Sequence, residues 1–261
     1  METRRTVHTG DWVTIEKIDC DTFIIRKYRH REETHCNLPN GKDRSSLIDT
    51  GLGICNIYEA VKELTHKPIP AIATHIHWDH IGGHRCFLDL YAHQEELAWL
   101  NGRFPLSISV IREMVLDGCD SPASYDVNSY DFFNDVPQRH CMAGNESIWA
   151  NGALKFFTPP AQTPGHLCFY EATRSYLFTG DLVYLDTLFA YYPSTDPEAY
   201  LASFEQIAEL PIQKVFPAHH SLELQPEILP CMRDAFRTLK TEEKLHYGSG
   251  SFDFSDWAVW L

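Results

Sequence analysis

The order of segments along the chain predicts an α/β protein, with sheets whose helices pack on the outside. Three observations lead there. Apolar alternation opens the chain at Trp12–Ile18 and Thr22–Arg26. Strand and helix signals then alternate from Ser46 onward. Helical spacing of apolar residues returns twice in the last third, after Asp196 and after Pro226.

Each element has a local reason. Ser46-Leu47-Ile48-Asp49 is a short apolar strand ended by Thr50-Gly51-Leu52-Gly53. Asn56 to Thr65 carries Ile57, Val61 and Leu64 on one helical face, and Pro68 and Pro70 follow it. Ala71-Ile72-Ala73-Thr74 is a compact buried strand, and Gly82-Gly83 marks a turn beyond it. A strand is expected at Leu88–Tyr91, and helices at Gln94–Leu100 and Ser107–Asp117, the last stopped by Gly118. Residues 119–147 are irregular. Strands resume at Leu154–Phe157, Cys168–Tyr170 and Tyr176–Thr179. Asp196 is an N-cap with Pro197 at the first helical position, opening a helix to about Leu210. Lys214–Pro217 is the last strand before a helix from about Pro226 to Leu245. The tail Trp257-Ala258-Val259-Trp260-Leu261 is apolar enough to predict burial, against the domain or against a second copy in a homodimer.

Bulk properties narrow the function classes. The chain has 261 residues, ordinary globular composition and a formal net charge of -14. That negative field, read as having no local Lys/Arg cluster to offset it, argues against nucleic acid and anionic membranes as partners. No apolar run is long enough for a membrane helix, and Met1-Glu2-Thr3-Arg4-Arg5 leads into a polar stretch without a signal core. The eight cysteines are spread without a close pair, which predicts reduced thiols and a cytoplasmic protein.

The run His75-Ile76-His77-Trp78-Asp79-His80 carries the chemistry. Residues two apart on an extended segment project to one face, so His75 and His77 can reach one cation. Asp79 and His80 add a carboxylate and a third imidazole, ligand types suited to zinc and related divalent ions. Three further segments place ligand types at strand ends: Thr163-Pro164-Gly165-His166, Thr179-Gly180-Asp181 and Ala218-His219-His220.

Together these motifs resemble the metallo-β-lactamase fold superfamily. The matching pieces are Asp49-Thr50-Gly51, the run at 75–80 with Gly82-Gly83 behind it, Pro164-Gly165-His166, Gly180-Asp181 and His219. The resemblance implies an αββα sandwich of two mixed sheets with helices outside. It implies one domain over residues 1–261, with a helical and irregular lid insertion at about 101–147. It implies two divalent metal ions, zinc first, with iron or manganese as alternatives. His75, His77 and a later His would hold one metal, and Asp79, His80 and His219 the second. Asp181 would bridge them and Asp49 would brace the ligands. One segment departs from the family pattern. An ungapped alignment of Thr158–His166 places Gln162 at the third ligand position, whereas a re-registered loop places His166 there. His166 is preferred, because an amide is a poor zinc ligand beside imidazole.

Two such cations, about 3.5–4 Å apart, would deprotonate a bridging water that attacks an electrophilic carbonyl. Asp79 is the candidate to orient that nucleophile. Tyr184 and His220 are candidate donors to the oxyanion or leaving group. The insertion holds Phe104, Leu106, Ile108, Tyr125, Tyr130, Phe132 and Phe133, which suit an apolar acyl part. The expected activity is hydrolysis of a small-molecule lactone, ester or thioester, with lactone or ester narrowly first. The alternatives are a β-lactam hydrolase and a degenerate member that binds metal or ligand without turnover.

Overall fold

The computed structural model describes residues 4–131, 138–143, 154–157 and 163–261. Gln162, Phe132 and Phe133 lie outside the described residues, as does part of the insertion at 101–147. The chain divides into two compact units, essentially Met1–Ala143 and Gly152–Leu261.

The first unit holds an eight-stranded mixed sheet in chain order. Its strands are β1 (Arg5–Thr9), β2 (Thr14–Lys17), β3 (Thr22–Arg26), β4 (His35–Pro39), β5 (Leu47–Ile48), β6 (Ala71–Ile72), β7 (Asp89–His93) and β8 (Gln138–Met142). β1 to β5 pair antiparallel, and β5 to β8 parallel. The parallel half needs crossovers. These contain α1 (Ile57–Val61), α2 (Trp78–Ile81) and α3 (Ile108–Leu116). Asn56 caps α1 by accepting from Glu59 N–H, and Ser107 caps α3 by accepting from Val110 N–H. Ile57, Val61, Ile111 and Val115 are buried in the core of this unit.

Gln94–Leu100 is helical as the sequence predicts, but of mixed kind: 3-10 at Gln94–Glu96, α at 97–98 and π-type from Trp99 to Arg103. Gly102 adopts φ +86°, which stops a regular helix from continuing. β4 had no signal in the sequence, because its buried residues His35 and Asn37 are polar and hide the apolar period.

The second unit holds a four-stranded sheet in the order β13-β11-β10-β9. Its members are β9 (Leu154–Phe157), β10 (Cys168–Glu171), β11 (Tyr176–Gly180) and β13 (Lys214–Pro217). A smaller sheet combines β12 (Thr187–Phe189), β14 (Ser251–Asp253) and β15 (Ala258–Trp260), in the order β12-β15-β14. The helices are α4 (Pro197–Ala208) and α5 (Ile228–Thr241). Asp196 caps α4 through Glu198 N–H and Ala199 N–H, with Pro197 behind it as the sequence predicts. α5 presents Leu229, Met232, Phe236 and Leu239 inward at helical spacing. Phe236 meets Phe204 of α4 at 5.0 Å between ring centroids. The apolar tail is buried against its own unit, with Trp257, Val259 and Leu261 in this core and Trp260 half-exposed. All eight cysteines are unbridged. Among the described residues, no helix is long and apolar enough to cross a membrane.

Candidate metal centre

Ligand-type side chains gather in each unit at strand ends. In the first unit the histidine run begins just after β6, and His77 is the extended residue that opens α2. His75, Asp79 and His80 are buried and His77 is half-buried. The His75 ring lies 4.4 Å from the His77 ring and 4.2 Å from the His80 ring, centroid to centroid. His80 Nε2 lies 3.6 Å from Asp79 Oδ2. Three imidazoles and a carboxylate thus converge on one buried patch, which would be costly to leave uncompensated and is suited to a divalent cation.

The brace beneath the run is Asp49. It follows β5 with φ +60°, a left-handed conformation that Asp tolerates better than most residues. That turn aims its carboxylate at Thr74 and His80. Oδ1 accepts Thr74 N–H at 2.8 Å, and Oδ2 accepts the Thr74 hydroxyl at 2.9 Å. Oδ2 also lies 3.0 Å from His80 Nδ1. Asp49 therefore takes the Nδ1 proton and leaves Nε2 of His80 as the lone-pair atom for a metal. Thr74 Oγ1 likewise sits 2.9 Å from His75 Nδ1. Thr74 and Glu96 were not singled out in the sequence. Glu96 is buried and accepts Ile76 N–H at 2.9 Å, holding the run between its two first histidines.

Close backbone packing holds the run over Asp49. Thr50 N–H and Gly51 N–H both donate to His80 O, at 2.7 and 3.1 Å, and Gly82 N–H donates to Gly51 O at 2.7 Å. A Cβ on Gly82 would lie 2.5 Å from the Leu52 carbonyl carbon, so the glycine is required for this approach. A Gly82→Ala variant is expected to lose about 1–3 kcal/mol of stability, because rigid backbone must part. Denaturant unfolding measures it; wild-type stability would contradict the close-approach account.

Lys27 and Cys36 lie under the same turn. Lys27 is 1% exposed, and its ammonium donates to Cys36 Sγ at 2.9 Å. Burial pushes the Cys36 thiol up, against the pull of Lys27. His30 packs edge-on against Trp78 at 5.7 Å. Burial lowers the His30 pKa, opposed by its bond to Met114 O and by the charge of Asp79.

The aromatic residues of the insertion mostly build this unit's core. Tyr130 is buried and its hydroxyl donates to Trp78 O, while Phe104 and Tyr125 pack against the core and Leu106 is exposed. His77 faces two of the unit's rings, Trp99 in a stacked arrangement at 6.0 Å and Phe104 at 6.5 Å.

In the second unit Asp181 follows β11, where Gly180 takes φ +54°. Asp181 N–H donates to His166 Nε2 at 3.2 Å, and His166 is fully buried. His219, just beyond β13, places Nε2 3.1 Å from Asp181 Oδ1. Tyr184 packs at 5.6 Å from His219, and its hydroxyl donates to Thr187 O at 2.7 Å, so its single proton is already committed. His220 is partly exposed at φ +59°, with Nε2 3.9 Å from Asp186 Oδ2. Tyr200 has no signal in the sequence beyond its place in a helix. It is buried in α4, and burial together with the charge of Asp181 raises its phenol far above the ordinary range.

Comparisons with known proteins bear on the family and the fold. The family model described as the metallo-beta-lactamase superfamily matches residues 33–219. The chain is 22% identical over 228 residues to the acyl-coenzyme A thioesterase MBLAC2 of Gallus gallus, covering 81% of this chain and 82% of that protein. It is 24% identical to the Homo sapiens protein of the same name, covering 80% and 81%. The crystal structure of the DIM-1 metallo-beta-lactamase superposes with a TM-score of 0.62 at 16% identity, covering 87% of this chain and 98% of that one. That likeness confirms the α/β fold with mixed sheets that the sequence predicts. With most of its length matched by the family model, the chain belongs to the metallo-beta-lactamase superfamily.

Proposed function

We propose that this protein is a metal-dependent hydrolase of acyl thioesters, with coenzyme A as the leaving thiol. The observation that carries the hydrolytic reading is the Asp49–His80 contact at 3.0 Å, which leaves Nε2 of His80 for a metal. The name of the relatives that match about four-fifths of the chain supports a thioester over the lactone or ester ranked first from sequence.

The donor set suits divalent cations, because imidazole and carboxylate are their preferred protein ligands. His75, His77 and His166 would hold one ion, Asp79, His80 and His219 a second, and Asp181 both, as the superfamily resemblance implies. Bound there, the ions lower the pKa of water and polarise the substrate carbonyl. Asp79 orients the attacking water and takes its proton. The C–O bond forms as the C–S bond breaks, giving a carboxylic acid and a free thiol. His220 is taken as the donor to the leaving thiolate, since Tyr184 spends its proton on Thr187. Trp99 and Phe104 beside His77 offer apolar surface to the acyl part.

The test combines metal analysis with a substrate screen. The protein should carry about two metal ions per chain and hydrolyse acyl-CoA. A chelator should abolish turnover and zinc should restore it, with lactones and β-lactams turned over more slowly. Less than one metal per chain and no metal-dependent turnover would instead support a degenerate member that only binds.

A further inference from the structure

The loop between β3 and β4 reads Lys27-Tyr28-Arg29-His30-Arg31-Glu32-Glu33, in which Lys27 is buried while Arg29 and Arg31 reach the surface. It lines an open surface depression of about 690 Å³, together with residues around Gly118. The wall of the depression is built rather than incidental. Arg31 N–H donates to Gly118 O at 3.0 Å, Asp120 N–H donates to Arg29 O at 2.8 Å, and His30 forms a β-bridge with Cys119. Gly118 sits at φ +64°, and a Cβ there would lie 3.0 Å from the Arg31 side chain. The loop is therefore clamped before any ligand arrives.

Its charges are available for exchange. Arg29 and Arg31 are each 48% exposed. Arg29 faces Asp120 at 3.7 Å, and Arg31 faces Asp117 at 2.7 Å and Glu32 at 3.3 Å. Asp117 and Asp120 are themselves well exposed, and solvent screening makes such surface pairs weak. Phosphate oxygens engage guanidinium groups through paired, charge-assisted hydrogen bonds and so compete well with them. Tyr28 adds a 44%-exposed ring at the same wall. The depression also abuts the metal loop. His30, one of its lining residues, packs on Trp78, which stands between His77 and Asp79.

We propose that this depression binds the phosphorylated nucleotide end of the leaving thiol, with Arg29 and Arg31 on the phosphates and Tyr28 against the base. This rests on the thioesterase reading above, and it gives that reading a recognition site distinct from the ligand residues.

The probe is adenosine 3′,5′-bisphosphate, which carries the nucleotide end of coenzyme A without its thiol. Calorimetric titration into the metal-loaded protein should show saturable binding. An Arg29→Gln/Arg31→Gln double variant should weaken it about tenfold or more, and Glu33→Gln, which removes a carboxylate from the wall, should tighten it. In turnover the double variant should raise KM for acyl-CoA about tenfold, leaving kcat and the KM for acyl-pantetheine unchanged. Wild-type nucleotide binding by the double variant, or an equal rise of KM for both thioesters, overturns the proposal. If the arginine-dependent binding holds but no thioester is hydrolysed, the thioesterase reading fails and the nucleotide site stands. If acyl-CoA is hydrolysed with an unaltered KM in the double variant, the reading stands and the site fails.

Discussion

A His80→Ala variant is expected to lose thioester hydrolysis by about a thousandfold, because metal polarisation of the carbonyl is worth several kcal/mol and each 1.36 kcal/mol is tenfold. His80 holds several contacts at once. Its Nδ1 meets Asp49, its Nε2 lies beside Asp79, its ring packs on His75, and its carbonyl receives two backbone N–H groups. Alanine keeps the carbonyl and its backbone bonds, so the 49–53 turn should survive. It removes the imidazole, so one metal should be lost. Metal content by mass spectrometry and kcat/KM on an acyl-CoA check this together. Retention of both metals and of activity would sink the assignment of His80 as a ligand.

The second large effect is expected at Asp49. Asp49→Asn preserves shape and the tolerance of a left-handed backbone. It removes the carboxylate that receives Thr74 N–H, the Thr74 hydroxyl and His80 Nδ1. An amide offers one acceptor oxygen, and its NH₂ group would face a donor. Metal affinity should fall about 10–100-fold, the usual cost of losing a partner behind a ligating histidine. Stability of the metal-free protein should fall by about 1–3 kcal/mol, because buried donors lose their acceptor. Competition with a chelating dye and urea unfolding separate the two effects. A variant that loses stability but keeps full metal affinity would make Asp49 a structural residue only.

Much of this was legible because local chemistry announced it. The alternating strands, the capped helix at Asp196 and the amphipathic stripe of α5 follow from period and capping. Four ligand-type residues in six, at the end of an apolar strand, single out the candidate metal run without any fold. The motifs beyond it carry the superfamily, since each sits where a strand ends. Other features gave no such signal. β4 is buried yet polar, so its pairing with β3 and β5 depends on non-local partners. The helix expected at Gln94–Leu100 forms but changes kind along its length, and left-handed Gly102 just beyond it ends the regular backbone, a state that composition suggests but does not place.

The sequence by itself determined the α/β class and the histidine run with its ligand-type side chains, because those depend on residue type and short spacing. Tertiary structure decided which atoms are presented. It turned Asp49 at φ +60° so that His80 is held by Nδ1, and it spent the Tyr184 proton on Thr187. It also clamped Arg29, His30 and Arg31 against Gly118 beside the metal loop. Those outcomes depend on contacts between segments far apart in the chain, and no local pattern encodes the direction of a side chain across such a distance.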